Sequence, residues 1–305
     1  MLIRPAMREY RHWTSDSRRW KGYTPRPNDI VVATASKCGT TWVQRIVCLL
    51  IFQDTQPRPL PVISPWIEAR FKASVAEMYN ALELQSHRRF VKTHLPLDGV
   101  PFYDEVRYIH VARDGCDAAL SMHNHATGFS EAQLQDFDRI GLNDPAIGKA
   151  YPRAPPDPSE YMRAWLLRMG YFDLERSYWV ERRRPNFLFV HYSDLKRNLE
   201  GEMRRIAHFL DIDLNDAIWT SLVTAASFEA MSAAGDELMP HTKWMFAEGS
   251  RRFFNKGVSG RGREVFSEEA LALYDSTLRA ECSLALAAWL EHGRLGAGDP
   301  REAAD

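Results

Sequence analysis

The 305-residue chain has little of what commonly announces a function. Its four cysteines, Cys38, Cys48, Cys116 and Cys282, contain no C-x-x-C pair. That excludes a zinc ribbon or a dense disulfide scaffold, and free thiols in a reducing compartment are expected. No His, Cys, Asp or Glu cluster shows metal-ligand spacing, so no metal is expected. The formal net charge is only −1; nucleic acid is not an expected partner, and any anion site must be local. The longest apolar run, 46–52, is far too short to cross a bilayer, and no stable membrane insertion is expected. Arg4, Arg8 and Glu9 precede any apolar run, which argues against a secretory leader and for a cytoplasmic protein. The phosphate-binding pattern G-x-x-x-x-G-K-[ST] is missing too.

What is present is a core-forming pattern. Hydrophobic residues make up 45% of the chain, enough for one large α/β domain spanning 1–305. Short β-branched runs at Ile30–Ala35, Arg89–Thr93, Val106–Ala112 and Phe187–His191 alternate with helical periodicity. This predicts a parallel β-sheet flanked by helices on both faces. Residues 1–25 read as an arm packed on the surface, and 293–305 as a frayed polar tail. Residues 125–158, with Pro152, Pro155, Pro156 and Pro158, read as a long mobile loop. Residues 240–263 read as irregular and basic.

The stretch 30–52 organises the rest. A buried strand ends in Ser36, Lys37, Cys38 and Gly39, and Thr40, Thr41 and Trp42 open a helix with Val43, Ile46, Val47 and Leu50 on one face. The unpaired first-turn amides and the helix dipole favour an anion. Gly39 allows close backbone approach, the threonines offer hydroxyls, and Lys37 adds a full charge. A second strand ends Lys92-Thr93-His94-Leu95-Pro96, which puts Lys92 and His94 at the same sheet rim as Lys37. A third ends in Arg113 and runs into a helix carrying Asp117 and Ser121. His123 and His125 are not spaced to meet on a helix, and read as structural or solvent-facing.

These segments resemble the PAPS-dependent sulfotransferases, in a branch close to bacterial glycolipid or aryl sulfotransferases. Residues 34–42, TASKCGTTW, match the family loop T-x-x-K-[SC]-G-T-T-W; 92–96 match K-T-H-x-P; 111–121, VARDGCDAALS, match V-x-R-[DN]-x-x-D-x-x-x-S. The resemblance implies a P-loop-NTPase-like sulfotransferase fold. It also implies that Lys37, Cys38, Gly39, Thr40, Thr41 and Trp42 bind the donor PAPS. Lys37 and Lys92 would stabilise the transferring group, and His94 would deprotonate an acceptor hydroxyl. Arg113 and Ser121 would hold the 3′-phosphate, while Tyr192 and Phe228 would pack on adenine. The last family pattern, R-K-G-x-x-G-D-W, is degraded. Asn255, Lys256 and Gly257 align with its start, but Arg261-Gly262 replaces Asp-Trp. Losing the arginine at 255 should weaken donor binding unless Arg251, Arg252 or Arg261 reaches in. Loop 240–263 would then cover the donor and loop 125–158 the acceptor.

The expected partner is a small apolar, aryl or glycolipid hydroxyl compound. Phe71, Tyr79, Phe102 and Phe129 suit such an acceptor, though ordinary packing explains them equally well. The family's dimer motif is not recognisable, so the sequence assigns no oligomeric state. Two other readings remain: a P-loop-like kinase using ATP, and a non-catalytic bisphosphoadenosine-binding protein.

Overall fold

The computed structural model describes residues 1–71, 73–168, 170–254, 257 and 259–304. Among the described residues six strands are numbered in chain order. β2 (Ile30–Thr34), β3 (Phe90–Thr93), β5 (Arg107–Ala112) and β6 (Phe187–His191) form one sheet in the order β3-β2-β5-β6. All its neighbours pair in parallel, with Ala33 opposite both Thr93 and His110 and Ala112 opposite His191. Parallel strands covered on both faces need apolar side chains at successive positions, which is why these runs are legible as strands. Val31, Ala33, Tyr108, Phe187 and Phe189 face one core. Ile30, Val32, Ile109, Val111, Leu188 and Val190 face the other.

The helix Thr40–Phe52 lies on the second face. Val43, Ile46, Val47 and Leu50 are fully buried there, each contributing about 1.5–3 kcal/mol of transfer free energy. The first face is covered by Gly115–Ala126, Pro158–Arg168, Tyr171–Trp179, Glu268–Glu281 and Leu284–His292. Because the four strands run in parallel, their carboxyl ends share one rim. His94, Arg113 and Tyr192 each directly follow a strand there, and Lys37 comes three residues after β2.

Three expectations are corrected. Residues 1–25 are more than a surface arm. β1 (Leu2–Arg4) pairs with β4 (Phe102–Tyr103), and Trp20 is buried with its indole N–H donating to Glu68 Oε2 at 3.0 Å. Segment 125–158 is not all loop: Glu131–Leu142 is a helix capped by Ser130. Its inward positions, Gln133, Phe137 and Gly141, carry one apolar side chain between them, so no stripe reveals it. The tail is anchored as well. Arg182 donates to Pro300 O at 3.0 Å, and Arg301 donates to Phe187 O at 2.8 Å.

Candidate active site

The rim encloses a cavity of about 1250 Å³, larger than a pocket for one drug-sized molecule. One end is the cradle after β2. Lys37 and Gly39 both have positive φ, 70° and 108°, so the backbone curls tightly before the helix starts at Thr40. A Cβ on Gly39 would stand 3.1 Å from the Tyr192 ring, which fixes how closely the loop approaches its neighbour. Thr34 and Thr40 join through their hydroxyls at 2.6 Å. Trp42 is pinned by its indole N–H to Ala226 O at 2.8 Å, edge-on to Tyr192 at 5.3 Å. Lys37, Gly39, Thr40, Thr41, Trp42, Tyr192, Phe228 and Gly257 all line the cavity.

Cys38 is the exception among the cradle residues. Its thiol is fully buried behind the cavity wall, pushed up well above its usual pKa range by desolvation, and its amide donates to Ala35 O at 3.4 Å. Asn255 and Lys256 lie outside the described residues. Tyr79 and Phe102 also leave the site. Tyr79 packs under Gly22 and donates to Arg19 O, while Phe102 packs edge-on in the core against Tyr108 and Phe187.

Lys37 and Lys92 share the cavity, and both are lowered to about 8. Burial is the main cause for each; for Lys37, repulsion from Arg113 and Lys92 adds to it. Their ammonium groups sit on aromatic faces, Lys37 Nζ 4.6 Å from the Phe253 centroid and Lys92 Nζ 5.2 Å from that of Trp66. Arg113 lies over the Tyr192 ring at 4.2 Å, with Asp117 at 3.5 Å. Several cations gathered where water is scarce repel each other, and an anion would relieve them.

His94 is held by its backbone and its ring. Its Nδ1 lies 2.8 Å from Thr34 O, and a carbonyl can only accept, so Nδ1 carries a proton and Nε2 is the one ring nitrogen that can offer a lone pair. The ring packs edge-on to Trp66 at 5.0 Å. Below it, Glu68 is fully buried. Its Oε1 accepts from the His94 amide at 2.6 Å and from Thr93 Oγ1 at 3.0 Å, and desolvation raises its pKa. From Trp66 a chain of rings leads outward through Phe71, Phe137 and Tyr151, each 4.9–5.8 Å from the last. Phe129 joins it at Phe137, 5.3 Å away.

Two contributors escape a reading of motifs. Glu68 is visible only as the end of Ser64-Pro65-Trp66-Ile67-Glu68, with nothing to link it to His94. His125 does not meet His123, which bonds to Pro155 O at 2.9 Å, but its Nδ1 reaches Lys37 Nζ at 3.5 Å. Burial and the nearby Lys37 and Lys92 push His125 well below the usual histidine pKa, so it is neutral near pH 7.

A parallel sheet whose rim gathers two lysines, an arginine and an oriented histidine suits a group-transfer enzyme for an anionic donor. The chain belongs to the sulfotransferase family: the sulfotransferase domain matches residues 27–285. A glycolipid sulfotransferase of Mycobacterium tuberculosis is 32% identical, over 94% of this chain and 95% of the relative. Sulfotransferase 1B1 of Canis lupus familiaris is 27% identical, over 85% and 84%. Among solved structures, retinol dehydratase in complex with androsterone and the inactive cofactor PAP aligns with a TM-score of 0.64 at 22% identity, over 88% and 86%. Mouse sulfotransferase SULT7A1 complexed with PAP aligns at 0.61 and 18%, over 85% and 86%. These two structural likenesses bear on the fold.

Proposed function

We propose that this sulfotransferase moves the sulfuryl group of PAPS to a hydroxyl of an apolar, aryl or glycolipid acceptor, with His94 as general base. The observation that carries the reading is the tautomer of His94. Donation from Nδ1 to Thr34 O leaves Nε2 as the basic nitrogen, on a ring that lines the cavity. The donor supplies an activated sulfuryl group on a phosphate leaving group. The cradle suits such an anion, because it would hold the protons on two half-buried lysines whose pKa is lowered to about 8, and the first-turn amides of Thr40–Phe52 are open to it. Lys37 and Lys92 then stabilise charge in a low-dielectric site, and His94 takes the acceptor proton. Trp42, Tyr192 and Phe228 offer flat surfaces for a purine.

The ring chain from Trp66 to Tyr151 supports an acceptor with a substantial apolar body, starting beside the base. The cavity has volume for such a body beside the donor. Turnover with PAPS across aryl alcohols and glycolipids tests the reading directly. Sulfation by wild type that is lost in His94→Ala, with 3′,5′-bisphosphoadenosine still bound, supports it. Unchanged turnover in that variant rejects the base assignment, and transfer from ATP instead of PAPS rejects the donor.

A further inference from the structure

Asn255 leaves the donor site one arginine short of the family pattern. We infer that Arg261 supplies the missing cation and reads the 3′-phosphate together with Arg113 and Ser121, an inference that rests on PAPS as donor.

Arg113, Asp117 and Ser121 are spaced four residues apart, and from Asp117 to Ser121 they lie on one face of helix Gly115–Ala126. Asp117, between the other two, is 4% exposed, and loop backbone occupies its carboxylate. Gly260 N–H donates to Oδ2 at 2.8 Å and Gly262 N–H to Oδ1 at 2.9 Å. A residue whose two neighbours are both tied to one carboxylate is held over it. Arg261 is that residue, so its backbone is pinned between Arg113 and Ser121.

Gly262 makes this approach possible. A Cβ there would lie 2.4 Å from the Cys116 carbonyl carbon and 2.6 Å from its oxygen, so the loop lies too close to the helix for any side chain. Gly260, at φ 85°, turns the chain into this position. The replacement of Asp-Trp by Arg-Gly is thus a coupled change, in which the glycine brings the loop in and the arginine gains the site.

Arg261 is half-buried and lines the same cavity as Arg113, Ser121 and Gly257. Among the described residues no carboxylate pairs with it. Its loop neighbours are committed elsewhere or turned away. Arg252 donates to Asn124 O and Thr127 Oγ1 at 2.9 and 2.8 Å, Arg263 pairs with Asp275 and Glu291, and Arg251 is exposed outside the cavity. A guanidinium at this position can meet phosphate oxygens with two parallel N–H donors.

The test is calorimetric titration of wild type, Arg261→Gln, Arg261→Lys and the surface control Arg263→Gln. The ligands are 3′,5′-bisphosphoadenosine and 5′-AMP, and thermal melts check folding. Arg261→Gln should lose about tenfold to a hundredfold in affinity for the bisphosphate with 5′-AMP affinity unchanged. Arg261→Lys should recover part of the loss, and Arg263→Gln should match wild type. A wild-type preference that survives intact in Arg261→Gln overturns the assignment and leaves the donor reading standing. No preference in wild type overturns both.

Discussion

Lys37 Nζ stands 3.5 Å from Nδ1 of His125, a residue 88 positions later in the chain. The histidine is neutral near pH 7, so it serves this ammonium as a hydrogen-bond acceptor and adds no charge. It is boxed in by Phe129 and Phe246, at 5.0 and 4.8 Å, which fixes its ring against the cradle. His125→Leu should therefore make Lys37 harder to protonate. The alkaline limb of the bisphosphoadenosine affinity profile should move to lower pH while the fold is retained. A profile that stays in place would show that the contact has no influence on Lys37.

Donor affinity should itself depend on pH through the two lysines. Both are lowered to about 8, chiefly by burial, so each ammonium is increasingly lost as pH rises past 8. An anion binds the protonated form and must restore the missing protons. Affinity for 3′,5′-bisphosphoadenosine should fall about tenfold per pH unit above 8 for each ammonium that binding requires. Titrations in buffers of different ionisation enthalpy should show proton uptake near pH 8.

His94→Ala should lower kcat by about a hundredfold to ten-thousandfold, the usual range for a positioned general base. Affinity for the bisphosphate should change little, because Thr34 and Thr40 still shape the cradle through their own bond. Single-turnover rates measured beside calorimetry separate the two effects. A parallel loss of binding would reassign His94 to a structural role.

Glu68→Gln tests how the base is held. The carboxylate accepts from the His94 amide, Thr93 and Trp20, and an amide cannot present acceptors on both sides. One buried donor would be left facing an N–H, costing about 1–3 kcal/mol. Chemical denaturation should report that loss, together with a lower kcat.

The sheet was legible because strands buried on both faces are apolar at nearly every position, as in Ile30–Thr34 and Phe187–His191. The charged rim was legible for the complementary reason: Lys37, Lys92 and Arg113 interrupt or end such runs where a core offers them nothing. Contacts made across the fold left no such trace. His125 meets Lys37 from another helix, and Glu68 meets His94 from an irregular segment. The helix Glu131–Leu142 was hidden because Gln133 and Gly141 occupy two of its inward positions. The tail was hidden because arginine-to-carbonyl bonds, which have no periodicity, hold it down.

Lys37 gives the chain an evolutionary liability. It is a side-chain-bearing residue in the left-handed region, at φ 70°, and its charge is opposed by burial. The backbone conformation alone costs about 1–2 kcal/mol, and glycine would remove that cost along with the charge. Lys37→Gly should raise the melting temperature of the ligand-free protein and abolish its grip on the donor. A population of variants selected only for heat resistance would therefore tend to lose catalysis through this position. Survival of Lys37 in such an experiment would itself report that turnover was under selection.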